Sequence, residues 1–168
     1  MATAYDCITP EQKLLIEESN VFFVASAASD LSSGSHGQGP VNCSPKGGVK
    51  LHVLDQHRVA YLDFGGSGNE TARHAESGGP MTIMVMSTTA ADAGIVRLYG
   101  RARAIPMAEY GGKAVVEDGP PSDEIGLARR QVIELEVEST QSSCGYGVPV
   151  MEFKASRVRS QHGRKYKD

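Results

Sequence analysis

The chain has no tryptophan and only four phenylalanines and six tyrosines, so aromatics make up 6% of its 168 residues. Reading nucleic-acid bases calls for aromatics interleaved with a basic face. The one basic stretch, Lys154 to Asp168, carries Tyr166 alone, so no nucleic-acid partner is expected. Net charge is only -3, which gives no overall pull toward nucleic acid or an anionic membrane. Cysteine is scarce. Cys7, Cys43 and Cys144 are odd in number and form no Cys-x-x-Cys pair, and no histidines cluster at zinc-ligand spacing. That excludes a disulfide framework and a structural zinc, and predicts free thiols in a reducing compartment. No segment approaches the ~20 apolar residues that span a bilayer. No basic region followed by an apolar run opens the chain, so a soluble, cytoplasmic protein is expected.

What is present is ordinary globular material, with 40% hydrophobic and 22% charged residues. The length suits a single domain over residues 1–150, followed by a basic tail at 151–168 that is disordered or a docking arm. Thr9-Pro10-Glu11-Gln12 predicts a helix, with Thr9 and Gln12 forming a capping box around a proline at the first helical position. Val21–Ala25 reads as a strand buried on both faces. Ser29–Gly39 reads as a flexible hairpin tip in which His36 is solvated. Val41–Pro45 is the returning strand, and Pro45 either ends it or places it at an edge.

Strands are expected at Lys50–Leu54 and Arg58–Phe64 around a tight reversal at Asp55–His57, then at Met81–Met86 and Ile95–Ile105. Arg97, Arg101 and Arg103 share one face of the last of these, a solvated or salt-bridged face by default. Between Pro106 and Arg130, glycine and proline break the chain into short helical pieces. Val132–Glu138 alternates, with Ile133, Leu135 and Val137 inward and Glu134, Glu136 and Glu138 on a wet face. About seven strands joined by hairpins, with two or three short helices, make a mainly β protein: an antiparallel barrel with helices at its ends.

The stretch Tyr61-Leu-Asp-Phe-Gly-Gly-Ser-Gly-Asn-Glu-Thr-Ala-Arg-His74 carries the most chemistry. A strand runs through three glycines into a helix start, where Ser67 and Glu70 stand at capping-box spacing. Gly65 and Gly66 can turn sharply and expose their N–H groups. The helix start adds unpaired donors and the positive end of a dipole, a combination suited to a phosphate.

Together with Val41-Asn-Cys-Ser-Pro-Lys-Gly-Gly48, Arg97-Leu-Tyr-Gly-Arg101 and a late Ser143-Cys-Gly-Tyr-Gly-Val-Pro149, this stretch resembles the pyridoxamine 5′-phosphate oxidase-like family of split-barrel flavoproteins, and within it an uncharacterised branch. The resemblance implies a split β-barrel that forms a homodimer, with FMN in grooves between the subunits. It implies that the strand ending Asn42-Cys43-Ser44-Pro45 and the strand around Tyr61-Leu62-Asp63 lie along the ring and ribityl chain. The turn Ser67-Gly68-Asn69 with Thr71 would then take the phosphate.

Two departures matter. Many relatives place arginine and lysine at the helix start, whereas here the only charge in the turn is acidic. A short helix end supplies about 0.3–1 kcal/mol and a charge-assisted hydrogen bond roughly 1.5–3 kcal/mol. A nearby cation is therefore expected, Lys46 first and Arg73 or Arg97 next, with Glu70 turned back onto the helix. The chain also lacks tryptophan and the Arg-Leu-His-Asp-Arg-like segment with which true pyridoxamine phosphate oxidases grip their substrate. Vitamin B6 activity is accordingly not expected. The two glycines around Tyr146 suggest a close backbone approach, and Cys144 reads as a small packed residue rather than a nucleophile.

The resemblance implies an FMN-dependent oxidoreductase acting on a small molecule, in which the flavin carries the chemistry and no catalytic side chain is named. The alternatives are a flavin-binding module without turnover, used for storage, sensing or partner contact, and the same barrel holding haem or a deazaflavin.

Overall fold

The structure, a computed structural model, describes residues 2–31, 39–66, 68–121 and 127–156. Helix α1 (Pro10–Glu18) opens with the expected box: Thr9 Oγ1 accepts from Gln12 N–H at 3.3 Å, and Gln12 Oε1 accepts from Thr9 N–H at 3.0 Å. Seven further elements follow the sequence reading closely: β2 (Val21–Ala27), β3 (Val41–Gly47), β4 (His52–Asp55), β5 (Arg58–Phe64), α2 (Glu70–Glu76), β6 (Pro80–Met86) and β7 (Gly94–Pro106). A 3-10 turn (Met107–Glu109) and α3 (Lys113–Val116) precede β8 (Arg129–Cys144), which is far longer than its alternating centre. A short first strand, β1 (Thr3–Tyr5), has no counterpart in the sequence reading.

All strand pairs are antiparallel, in the order β3-β2-β6-β7-β8-β5-β4. The first half of β8 pairs with β5 and its far end with β1, so this one strand, paired along its length with β7, ties three others together. Pro45 does not end β3. It sits within an edge strand, where its missing N–H disturbs no ladder. A register shift between Tyr99 and Gly100 bends β7 against β8, and a Cβ at Gly100 would overlap the Glu136 carbonyl oxygen, so only glycine fits there.

The barrel is split. β3 and β5 are not hydrogen-bonded to each other, but their side chains meet across the gap, Lys46 Nζ lying 3.2 Å from Asp63 Oδ1. Inside, Phe22 packs edge-on against Tyr61 with ring centroids 5.1 Å apart, among Val24, Ile83, Leu98, Ile133 and Leu135.

Several expectations are corrected. β2 alternates rather than burying both faces, because only one side of it meets the core. Glu134 is not wet: it is buried and accepts from Arg103 Nη2 at 2.8 Å. The salt-bridged reading of the β7 arginines holds for Arg101, which pairs with Glu138, and for Arg103. The hairpin joining β2 and β3 is present in its flanks, where Ala28 N–H bonds Pro40 at 2.8 Å, while its tip with His36 lies outside the described residues. Residues 151–156 are exposed and belong to no helix or strand, and the rest of the basic tail lies outside the described residues. Among the described residues no helix is long and apolar enough to cross a membrane.

Candidate functional site

The split between β3 and β5 opens into a cavity of about 630 Å³. Pro45, Lys46 and Val49 form one wall, Leu62, Asp63 and Phe64 the other, and Pro120 and Phe153 add to the lining. Cavities of roughly 300–1,000 Å³ are the usual size for small-molecule sites.

Asp63 is the hub. Strand β5 is covered on both faces, so its carboxylate is only 8% exposed and must be paired. Oδ1 takes Lys46 Nζ at 3.2 Å, and Oδ2 takes Arg130 Nη2 at 2.6 Å and Gln131 Nε2 at 2.9 Å. Burial alone would push this carboxyl up, but the Arg130 bond, the Lys46 charge and the Gln131 amide outweigh it and hold it below the ordinary aspartate range. The network continues to the turn before α2: Gln131 Nε2 donates to Asn69 Oδ1 at 3.1 Å, and Arg130 to the Gly68 carbonyl at 3.4 Å. On the β3 side, Asn42 Nδ2 donates to Thr71 Oγ1 at 3.3 Å. Lys46 Nζ also stands 5.8 Å from the centroid of the Tyr61 ring.

Among the described residues, three buried side-chain atoms have no hydrogen-bond partner: Ser44 Oγ, Tyr61 Oη and Arg130 Nε. They sit on β3, β5 and β8, the strands that contribute Lys46, Asp63 and Arg130. Every one can donate a hydrogen bond. Desolvation pushes the Tyr61 phenol well above its ordinary range, so it stays a neutral donor. Counting Lys46 and Arg130 against Asp63, the cluster carries one net positive charge.

Of the expected residues, Pro45, Lys46, Leu62 and Asp63 line the cavity, Gly68 and Asn69 join the network beside it, and Asn42 pairs with Thr71, while Ser44 and Tyr61 lie on the strands that carry Lys46 and Asp63. Cys43 lies on the exposed side of β3, and Ser67 is outside the described residues. Arg97 is elsewhere: on β7 it donates to Ser143 Oγ at 2.9 Å. Arg73 turns to Glu70 Oε1 at 3.1 Å.

The expected helix-start box is not built. α2 begins at Glu70 with Asn69 as its cap, the Asn69 side chain does not cap it, and Glu70 falls in the first helical position rather than the third. Gly65 and Gly66 do not use left-handed backbone, and the Gly65 N–H already bonds Ala128 O at 2.7 Å. A helix of seven residues also sums few peptide dipoles, so the charge for an anion comes from side chains.

The residue that sequence reasoning missed is Arg130. It reaches Asp63 through the β5–β8 register, 67 residues along the chain. The available signal was an aspartate in an otherwise apolar strand, which demands a cation from somewhere. At the other candidate segment, only Gly145 makes a close approach, its N–H bonding Ala93 O with no room for a Cβ; Gly147 meets nothing within 4 Å, Tyr146 is 88% exposed, and Cys144 is exposed rather than packed.

No family model matches the chain. A curated protein of Aspergillus flavus, the pyridoxamine 5′-phosphate oxidase family protein ustO, is 34% identical over 135 residues, covering 79% of this chain. The chain spans 50% of that relative's length. Among solved structures, a HupZ variant of Group A Streptococcus superposes with a TM-score of 0.56 at 18% identity, over 81% of this chain and 99% of that one. A Lactobacillus delbrueckii protein provisionally named a pyridoxamine 5′-phosphate oxidase gives 0.56 at 20% identity, over 81% and 94% of the two chains. The motif order, the split antiparallel barrel and the similarity to the Aspergillus protein agree: over the matched residues this chain is a member of the pyridoxamine 5′-phosphate oxidase-like split-barrel family.

Proposed function

We propose that the chain binds FMN in the groove between β3 and β5, as one half of a homodimer, and serves as an FMN-dependent oxidoreductase on a small molecule. The observation that carries this reading is the set of three buried, partnerless donors around a cluster of net positive charge. Such a set calls for an acceptor-rich, anionic ligand. A flavin nucleotide answers both demands, with carbonyl oxygens on its ring and a phosphate at its end. The apolar walls, Leu62, Phe64, Pro45 and Val49, suit the ring.

When bound, a flavin supplies hydride or electron transfer. The chain's own part is to hold and orient it. Ser44 and Tyr61 offer neutral donors and Lys46 charge, while Phe64, Pro120 and Phe153 add apolar surface to the groove. The exposed outer side of edge strand β3, with Val41 and Cys43, supports a second copy of the chain as partner there.

Purified protein should be yellow or should turn so with added FMN, and the bound flavin should be reduced anaerobically by NADH or NADPH. Bound flavin without such reduction would favour a storage or sensing module. A Soret band would replace flavin by haem, and a colourless protein indifferent to FMN would remove the flavin reading.

A further inference from the structure

We infer that Arg130, paired with Lys46 across Asp63, is the residue that grips the cofactor's terminal phosphate, in place of the cations that the turn before α2 lacks. This rests on the flavin reading above and deepens it. Around that turn Arg73 is engaged by Glu70, and Arg97 lies on β7 bonded to Ser143. Arg130 and Lys46 are different. Arg130 on β8 borders the turn at the Gly68 carbonyl, Lys46 on β3 lines the same cavity as Gly65 and Gly66, and both are fixed from behind by a single buried carboxylate.

Asp63 takes one amine donor from Lys46 and one guanidinium donor from Arg130. Lys46 keeps further ammonium protons, and Arg130 keeps a buried Nε–H with no partner. The Arg130 guanidinium also lies against the Gly68 carbonyl, so it already borders the turn. A planar guanidinium held in this way is pre-organised for phosphate oxygens, and little side-chain freedom remains to be lost on binding. Asp63 cancels one of the two charges, which leaves the cluster attractive to an anion without burying two uncompensated cations.

The test compares FMN with riboflavin, which has the same ring but no phosphate, by fluorescence titration of the full chain. Wild-type protein should prefer FMN by at least about tenfold, the worth of one charge-assisted bond. Arg130→Gln should erase most of that preference and leave riboflavin affinity unchanged, which also shows that the variant is folded. Arg130→Lys, which keeps the charge but not the fork, should retain part of it, and this variant together with Lys46→Gln carries the test if the glutamine variant does not fold. Equal wild-type affinities for the two flavins would overturn the inference while leaving flavin binding intact, as would an undiminished preference in Arg130→Gln. Failure to bind either flavin would remove the reading it rests on.

Discussion

Arg130 Nη2 lies 2.6 Å from Asp63 Oδ2, and this contact closes a buried charge network that Lys46 completes from the opposite edge of the split. Removing the carboxylate leaves two cations facing each other. Asp63→Ala should therefore destabilise the fold. A fully buried pair broken in this way costs about 3–5 kcal/mol. Lys46 and Arg130 are 23% and 29% exposed, so water recovers part of that loss. The expected cost is about 2–3 kcal/mol, seen as a Tm lower by roughly 4–12 °C. An unchanged melting curve would show that the network adds nothing to stability.

The same carboxylate fixes an acid limb of stability. Its folded-state pKa is lowered, so the folded form holds the proton less readily than the unfolded chain. The stabilisation is complete above the unfolded aspartate value of about 3.9 and is lost as pH falls through the lower folded value. Urea midpoints measured from pH 7 down to pH 3 should fall for wild type, and Asp63→Asn should flatten the lower part of that fall. Parallel curves would assign the acid limb to other carboxylates, Asp118 first, whose pKa is also lowered: burial raises it, but the Lys50 N–H and the His52 ring outweigh that.

Lys46→Ala should weaken FMN binding by tenfold or more, about 1.4 kcal/mol. Lys46 is the cation that β3 brings to the groove, and its Nζ sits between Asp63 and the Tyr61 ring. Isothermal titration with FMN reads the effect directly. An unaltered affinity would take Lys46 out of the site.

His74, read in the sequence only as part of a family motif, is a packing device. Its Nδ1 lies 2.9 Å from Ser26 Oγ in the buried seam between α2 and β2. Ser26→Ala leaves a buried ring nitrogen without its partner, which costs about 1–3 kcal/mol. A lower denaturation midpoint with unchanged flavin affinity is the expected result. A loss of flavin binding at full stability would instead make His74 part of the site.

Local signals were legible and long-range ones were not. The Thr9–Gln12 box, the Asp55–His57 reversal and the bounds of β5 depend on neighbours a few residues apart, and each was readable as written. Hairpin spacing pointed to an antiparallel barrel, and the family resemblance alone implied that it is split. β1 escaped because its three residues are exposed and take their place only from β8. Glu134 looked wet because alternation cannot reveal that Arg103 waits on the next strand. Arg130 was hidden for the same reason: the register of β5 on β8, not any spacing in the chain, carries it to Asp63. The Ser67–Glu70 box failed because the helix starts later than the spacing suggested.

The glycines sort themselves by the same physical test. Gly79 donates to His74 O at 2.8 Å, and a Cβ there would overlap the Ala27 carbonyl oxygen and stand 3.1 Å from His74 O. Both obstacles are backbone and neither can swing aside, so the junction of α2, β2 and β6 would have to spread. Gly66, in the turn that drew attention in the sequence, meets nothing within 4 Å and has no left-handed backbone. Gly79→Ala should thus cost about 1–3 kcal/mol or more, whereas Gly66→Ala should stay within about 0.5 kcal/mol of wild type. Chemical denaturation of the two variants side by side decides it. If Gly66→Ala proved the more damaging, the turn before α2 would need its glycine for a backbone shape other than the one described here, and the groove's floor would have to be redrawn.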